Sequence, residues 1–160
     1  MTRTIRRRRF ENKTDYKARF GLLKSGLPRL VIRKSNRYII VQLVASDTAN
    51  DKVIATAISK DLLAKGWPED KAGSLKSISA AYLTGMLLAS KVKKTNKSAI
   101  LDMGMQRNVK GSRIFAALKG AIDSGLQIPH SSESLPTEQD LKKNEKILQI
   151  FEKLRKELAK

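Results

Sequence analysis

The chain has 160 residues and carries 33 Lys or Arg against 15 Asp or Glu, which is a formal net charge of +18 at pH 7. It contains no cysteine, and this excludes disulfides, thiol nucleophiles and thiolate metal sites. No apolar stretch is long enough to cross a bilayer, so we predict a soluble, cytoplasmic protein of one domain without a membrane partner.

Positive charge is concentrated in residues 1–37, which hold 13 basic and two acidic residues. The other 123 residues hold 20 basic and 13 acidic residues. Crowded like charges repel one another, so a stable fold does not require such a segment. Acids do not alternate with the bases here as they do on an ordinary solvated face. The segment therefore predicts a surface that binds a polyanion, with a merely solvated face as the alternative.

Residues 1–9 are predicted to form an extended arm that is disordered in the free protein, because they contain five arginines and no apolar periodicity. The planar guanidinium can grip phosphate oxygens in pairs and stack on bases, which suits an arm that binds nucleic acid. The candidate contacts in the arm are Arg3, Arg6, Arg7, Arg8 and Arg9.

The next predicted element is a helix over residues 11–23. Tyr16, Phe20, Leu23 and Leu27 fall on one helical face, and we predict that this face packs on the body of the protein. The lysines fall on another face, where a partner can reach them. The candidate contacts of this helix are Lys13, Lys17 and Lys24, with Tyr16 as a residue that could stack on a base.

A β-hairpin is predicted next, with strands over residues 29–34 and 38–45 that are rich in β-branched side chains. In the second strand, residues 39, 41, 43 and 45 are all apolar and are predicted to face the core. The opposite face carries Tyr38 and Gln42 and is the better candidate for a contact face. The polar and basic candidates of the hairpin and its turn are Arg29, Arg33, Lys34, Ser35, Asn36 and Arg37.

Beyond the hairpin, the patterns predict a strand over residues 53–59, a helix over 74–93, a strand over 98–103, a helix over 112–124 and a helix over 141–158. A strand that returns after a long helix favours a parallel neighbour reached through a crossover. The predicted fold is α+β, a mixed-sheet α/β sandwich with three antiparallel strands, one crossover strand and helices packed on the sheet.

We divide the chain into a basic N-terminal arm at residues 1–10, an α/β domain at 11–130, and a C-terminal connection with an amphipathic helix at 131–160. Gly85 lies inside the long central helix, where glycine costs about 1 kcal/mol relative to alanine, so we predict close packing against a neighbour there. The apolar stripe of the last helix is predicted to pack on the body or on a partner.

A second basic stretch precedes the helix at 112–124. Residues 91–113 hold seven bases and one acid, Asp102, and the amide groups at a helix start favour anions. Two interpretations stay open, a second phosphate contact and a solvated loop. The candidate residues are Arg107, Asn108, Lys110, Ser112 and Arg113.

Enzymatic chemistry finds little support in the sequence. His130 is the only histidine, and no motif links it to catalytic or metal-binding partners. Asp102 lies at the end of a predicted strand, but metal-dependent nucleases need several converging carboxylates, and the spacing of the acids does not demand this. We predict no enzymatic activity, no metal, no cofactor and no small-molecule substrate. An RNA-binding chaperone or regulator and a magnesium-dependent RNase are the alternatives considered.

Several motifs in order resemble the archaeal type of large-subunit ribosomal protein eighteen, the counterpart of eukaryotic large-subunit protein five. The resemblance covers about residues 3–130. The motifs are TDYK at 14–17, LLKSG at 22–26, PRLVIRKSN at 28–36, AAYLTG at 80–85, LDMG at 101–104, GSRIF at 111–115, KGAIDSG at 119–125 and IPH at 128–130.

The resemblance implies a structural protein that binds 5S rRNA through the domain at 11–130. It implies that the protein helps attach 5S rRNA to 23S rRNA in the central protuberance, beside the other 5S-binding protein and neighbouring large-subunit proteins. Carried onto this chain, it places the arm, the helix bases including Arg19, and the hairpin from Arg29 to Gln42 against RNA.

Overall fold

The computed structural model describes residues 4–47, 50–92 and 98–159. Residues 29–58 form three successive strands, and a fourth strand returns to the same sheet after a long helix. The strands are β1 (Arg29–Lys34), β2 (Ile39–Asp47), β3 (Asn50–Ile58) and β4 (Ile100–Asp102). The helices are α1 (Arg7–Phe10), α2 (Tyr16–Lys24), α3 (Ile78–Lys91), α4 (Arg113–Asp123), α5 (Glu138–Lys142) and α6 (Glu145–Leu158).

The four strands form one mixed sheet in the order β3-β2-β1-β4. The pairs β1–β2 and β2–β3 are antiparallel, whereas β4 pairs with β1 in parallel, with Leu30 opposite Leu101. The parallel pair follows from the helical crossover between β3 and β4, which brings the chain back in the same direction. The predicted α+β class and the crossover strand are both confirmed.

One face of the sheet is apolar and is covered by α3 and α4. Alternation along β2 directs Ile39, Val41 and Leu43 into the core, where each is at most 1% exposed. Leu30 and Ile32 of β1 extend the same buried face. The predicted core face of the hairpin is therefore confirmed at residues 39, 41 and 43, whereas Ala45 is only half-buried, beyond an irregularity in the register between Leu43 and Val44. The opposite face of the sheet is left for other contacts.

Helices α3 and α4 approach each other closely at two glycines. A Cβ atom on Gly85 would overlap with the backbone carbonyl of Ala117, and a Cβ atom on Gly120 would overlap with the carbonyl of Tyr82. The absence of side chains at these two positions lets the helix backbones touch, which confirms the close packing predicted for Gly85. The contact also holds the layer that supports the sheet.

Replacing Gly85 with alanine should destabilise the protein by about 1–3 kcal/mol, because the added methyl group has no room against a backbone carbonyl. Gly21 of α2 is the matched control, since a Cβ atom there meets nothing within 4 Å. Gly21→Ala should leave stability unchanged or raise it by about 0.5–1 kcal/mol. Urea unfolding followed by circular dichroism measures both, and equal effects of the two substitutions would contradict the role of the helix contact.

The C-terminal segment packs on the body of the protein. The Phe151 ring lies 5.7 Å from the Tyr82 ring between centroids, and the Arg155 guanidinium lies 5.2 Å from the same ring. Arg155 also donates to both carboxylate oxygens of Glu138, at 3.0 and 3.2 Å. The apolar stripe of the C-terminal helices therefore packs on the body of the protein. Its buried members are Leu141, Ile147, Phe151 and Leu154.

The prediction of one continuous helix over residues 141–158 is wrong. The first helix, α5, is set by a capping box in which the Thr137 hydroxyl accepts from the Asp140 amide while the Asp140 carboxylate accepts from the Thr137 amide. The backbone becomes extended at Asn144, and α6 then begins at Glu145. The Leu141 carbonyl accepts a hydrogen bond from the Ser79 hydroxyl at 2.7 Å, which anchors α5 to α3.

The long central helix also begins later than predicted. Ser77 is the N-cap of α3, and its hydroxyl accepts from the Ala80 amide at 3.2 Å. The preceding residues Glu69–Ser74 form a 3₁₀-helix instead. Capping by a serine hydroxyl is the physical reason for the boundary, since it satisfies an amide that has no intrahelical partner.

The N-terminal segment differs from its prediction in three ways. Arg7–Phe10 form one helical turn, so the extended arm is wrong at these residues, while residues 1–3, including Arg3, lie outside the described residues. Helix α2 begins at Tyr16 and not at residue 11, because the Asp15 carboxylate accepts from the Lys17 and Ala18 amides. No residue of α2 is buried, and Phe20 is 69% exposed. The apolar face predicted to pack on the body does not do so.

Candidate nucleic-acid interface

Helix α2 lies over the sheet face that α3 and α4 leave uncovered. Between them is a cleft of about 580 Å³, whose lining includes Arg19 and Leu22 of α2 together with Val31 and Gln42 of the sheet. Gln42 is half-buried there and its amide nitrogen lies 3.3 Å from the Thr56 hydroxyl. The predicted contact face of β2 is thus partly covered by the protein's own N-terminal helix.

A buried ion cluster lies at the base of this cleft. Arg29 and Arg33 of β1 donate to the two carboxylate oxygens of Asp102, each at 2.8 Å. Arg29 also donates to Asp51 at 2.8 Å and to the Ser46 hydroxyl at 3.1 Å. Strands β1 and β4 are parallel neighbours, with Val31 opposite Asp102, and this places the carboxylate between the two arginines that flank Val31.

Arg29 was predicted to contact RNA, and its position does not support that role. The residue is 3% exposed, and its guanidinium is held by two carboxylates. A buried charge needs such partners because the interior solvates it poorly. Arg33 is more accessible, with a side chain that is 40% exposed, although it also bonds the Asp102 carboxylate and carbonyl. We assign Arg29 a structural role in the sheet.

The pKa of Asp102 lies below its ordinary value. Burial alone would raise it, but the hydrogen bond and charge of Arg33, the Gly104 amide and Arg29 together outweigh burial. The pKa of Asp51 is lowered in the same way, since burial is outweighed by the Ser46 hydroxyl and by Arg29. Both acids therefore stay ionised and act as anchors for the arginines.

Asp51 links this cluster to helix α2. Its second carboxylate oxygen accepts from Arg19 at 2.8 Å, while the first accepts from Arg29. Arg19, a predicted RNA contact, therefore helps hold α2 against the sheet. Both side chains are about one-third exposed, so this ion pair contributes little stability by itself.

The turn α1 is organised by contacts among its own arginines and the start of α2. The Arg6 guanidinium lies 4.7 Å from the centroid of the Tyr16 ring. The Arg8 Nε donates to the Thr14 hydroxyl at 3.0 Å. Glu11 pairs with Arg7 and Lys13, each at 2.7 Å. These exposed contacts arrange the cations on one surface without burying any of them.

Seven exposed candidate cations form no ion pair, side-chain hydrogen bond or ring contact within residues 4–47, 50–92 and 98–159. Cations left unpaired on a surface are the groups that can release counterions on binding a polyanion. They come from α1, α2, the end of β1, the hairpin turn, the loop before α4 and the first residue of α4. They are Arg9, Lys17, Lys24, Lys34, Arg37, Arg107 and Arg113.

The fold brings the two basic regions of the sequence together. Met105, in the loop after β4, lines one small pocket with Arg9 and Lys17. It also lines a second pocket with Lys34 and Arg107. The N-terminal segment, the end of β1 and the loop before α4 therefore form one continuous basic surface, which we call the basic surface below.

The remaining candidates differ in accessibility. The Ser35 hydroxyl bonds the backbone of Tyr38 and closes the hairpin turn, leaving Asn36 exposed at the tip. Tyr38 is half-buried and packs against the core, so it is less suited to stacking on a base. Asn108 is exposed in the loop. Lys110 pairs with Glu133 at 2.9 Å, although both side chains are more than 70% exposed.

The ion cluster makes Asp102 unavailable for the catalytic alternative, a magnesium-dependent RNase. Asp102 is occupied by two arginines, and no group of three or more His, Asp or Glu that could hold a metal ion occurs among the described residues. His130 is exposed, and its Nδ1 lies 2.8 Å from the carbonyl of Ile128 in its own loop. None of the helices in the described ranges has the length and apolar character needed to cross a membrane.

A family model described as ribosomal large subunit proteins 60S L5, and 50S L18 matches residues 2–99 and 91–131. The chain is 50% identical over 152 residues to the large ribosomal subunit protein uL18 of Korarchaeum cryptofilum, covering 94% of this chain and 75% of that protein. The identity to uL18 of Aeropyrum pernix is 46% over 155 residues, covering 96% and 70%. The chain belongs to this family.

Membership of this family accounts for the character of this site. A protein of this family is a structural component of the large ribosomal subunit in the cytoplasm and is not an enzyme. It associates with rRNA and with other large-subunit proteins, which accounts for the basic surface. The archaeal resemblance is confirmed, also by uL18 of Methanoculleus marisnigri at 50% identity over 137 residues, covering 85% of this chain and 76% of that protein.

Sequence reasoning missed the acids that organise the interface, Asp51 and Asp102, as partners of Arg29. One signal was available for Asp102, since it is the only acid among seven bases in residues 91–113. An isolated acid at the end of a buried strand suggests a structural ion pair. The relatives aligned over 152 and 155 residues also extend into the C-terminal segment, for which the resemblance offered no motif.

Proposed function

We propose that the chain binds 5S rRNA and helps to attach it to 23S rRNA in the central protuberance of the large subunit, beside the other 5S-binding protein. The observation that carries this proposal is the basic surface, which unites cations from the two basic regions of the sequence. A surface of this extent can contact phosphates on more than one RNA segment, as a protein that joins two RNAs must.

The proposed contacts follow from accessibility. Arg29 is excluded because it is buried, and Gln42 is secondary because α2 covers it. The turn α1, the exposed lysines of α2 and the hairpin tip offer side chains that a phosphate can reach without disturbing the core. The proposed RNA contacts are Arg6, Arg7, Arg8, Arg9, Lys13, Lys17, Lys24, Lys34, Asn36, Arg37, Arg107 and Arg113.

Binding of the purified chain to 5S rRNA tests the proposal. The complex should survive a salt concentration that releases an unrelated structured RNA of the same length, because specific contacts add to the shared phosphate attraction. Filter binding over a salt series measures both complexes. Equal affinity for the two RNAs at every salt concentration would overturn the 5S assignment while leaving general rRNA binding in place.

Sedimentation of cell extracts separates the proposal from a chaperone or regulator outside the ribosome. A ribosomal component should travel with large subunits through a sucrose gradient. RNA crosslinked to the chain in cells and then sequenced should come from 5S rRNA and from the 23S rRNA adjoining it. A chain found chiefly in light fractions with other RNAs would favour the chaperone alternative.

A further inference from the structure

A pocket of about 550 Å³ lies where the end of β1, the start of α3 and the loop before α4 meet. Ile78, Met105, Val109 and Ile114 supply its apolar lining. Met105 and Val109 lie in a surface loop, where polar side chains would also fit. Both are nevertheless apolar, and they are 56% and 54% exposed. Its volume falls within the range of pockets that hold small organic ligands.

The rim of this pocket is cationic. Lys34, Arg107 and Arg113 line it, and none of its lining residues is acidic. These three cations form no ion pair within the described part of the chain. An apolar wall below a rim of unpaired cations suits a ligand that combines a flat apolar body with a negative charge.

Two helices begin at the pocket, and their starts differ. Ser77 caps α3 through its hydroxyl, whereas Ser112 at the start of α4 makes no side-chain capping bond. The Ser112 hydroxyl oxygen is buried without a hydrogen-bond partner among the described residues. The first amides of α4 are therefore not capped by this side chain, and they add to the positive potential of the rim.

We propose that this pocket accepts one unstacked nucleotide of rRNA, with its base against Met105 and Val109 and its phosphate at the cationic rim. The proposal rests on the proposed function only in requiring that the chain binds rRNA. RNA is preferred to an acidic protein segment because Met105 also borders the pocket formed by Arg9 and Lys17, so the site is continuous with the basic surface. Unpaired bases splayed from a loop or bulge are the usual targets of such sites.

The absence of cysteine makes a direct test available, since Val109→Cys introduces the only thiol of the chain. Val109 is half exposed in a loop, so this substitution should not disturb folding. The thiol is alkylated with N-ethylmaleimide in the protein alone, in its complexes with purified 5S rRNA and with deproteinised 23S rRNA, and in reconstituted large subunits. Met105→Cys is tested in parallel, and Ile54→Cys on the edge strand β3 is the exposed control.

Protection by naked rRNA supports the proposal. At an RNA concentration of about ten times Kd, about a tenth of the protein stays free, so alkylation of the V109C thiol should slow about tenfold. RNase digestion should restore it, and the I54C thiol should react equally throughout. Protection by 23S rRNA alone also supports the pocket, although it speaks against 5S rRNA as the source of the nucleotide. Failure of 5S rRNA to bind at all is seen separately by filter binding.

Two results would overturn the proposal. One is a V109C thiol that reacts at the unbound rate in every complex. The other is protection that appears only in reconstituted subunits, which would make a neighbouring protein the occupant.

Chemical probing of the RNA bases gives an independent readout. Its result would not change if the loop had only a structural role. In the complex with the unsubstituted chain, dimethyl sulfate should find one unpaired base protected that becomes reactive with Val109→Glu. Ile54→Glu makes the same change of charge and should keep that base protected. An identical pattern of protected bases with Val109→Glu would contradict the proposal.

Discussion

Asp102→Asn should lower the free energy of unfolding by about 3–5 kcal/mol, because it removes the shared negative charge from a buried ion cluster. Arg29 would keep its charge with a side chain only 4% exposed and would lose one of its two carboxylate partners. The new amide group would also place a donor opposite a guanidinium, where only an acceptor fits. Urea unfolding followed by circular dichroism measures the loss.

Glu133→Gln is the matched control for this prediction. It removes one carboxylate charge from an ion pair with Lys110 at 2.9 Å, but both side chains are more than 70% exposed. Exposed pairs contribute about 0–1 kcal/mol, so this substitution should be nearly neutral. Equal effects of the two substitutions would show that burial of Asp102 does not matter, contrary to its assigned structural role.

The same cluster predicts how stability depends on pH. A carboxylate whose folded pKa is lowered contributes stability above its ordinary value of 3.8, and this contribution is lost as pH falls toward the folded pKa. The unsubstituted chain should therefore lose stability steeply below about pH 4. Asp102→Asn should flatten that loss, although Asp51 still contributes to it. Parallel curves of unfolding midpoint against pH would exclude Asp102 as a contributor.

Replacing Arg6, Arg7, Arg8 and Arg9 with alanine should weaken rRNA binding strongly and reduce its dependence on salt. These exposed side chains lie in the turn α1 or just before it, where their partners Glu11, Thr14 and Tyr16 are only partly buried and compete weakly with a phosphate. Each lost phosphate contact lowers the slope of log K against log salt by about 0.7–0.9, so four contacts should lower it by about 3. Filter binding between low and moderate salt measures the slope.

A control with the same loss of charge separates contact from long-range attraction. Lys65, Lys142, Lys153 and Lys156 are exposed and line none of the pockets that make up the basic surface. Their replacement by alanine removes four positive charges but should change the slope by less than one contact, about 0.7. An unchanged slope in the arginine variant would mean that α1 meets protein, or an RNA segment missing from the assay.

The fold was largely predictable because its signals are local. The alternation of Ile39, Val41 and Leu43 marks one face of a strand, and Gly85 in a long apolar helix indicates a close neighbour. The wrong prediction that the apolar face of α2 packs on the body has a physical reason. Tyr16, Phe20, Leu23 and Leu27 do share a helical face, but periodicity does not reveal whether a neighbouring element exists to cover it.

The site was predictable to the level of its charge and no further. Sequence order separates Arg9 from Arg107 by almost a hundred residues, so their place on one surface depends on how β1, α2 and the loop after β4 assemble. Lys34 and Arg29 were both predicted as RNA contacts, but Lys34 is exposed, whereas Arg29, five residues earlier on the same strand, is buried. Local charge could not tell these two residues apart.

Composition, strand and helix periodicity and ordered motifs were sufficient for the polyanion partner, the α+β class and the ribosomal family, because each is a property of short stretches of chain. The assignment of individual cations required the assembled sheet. Arg29 and Asp102 are 73 residues apart, and only the parallel pairing of β1 with β4 brings them to 2.8 Å. The energy of a charge depends on its surroundings in space, so its role in binding or in stability is set by long-range contacts.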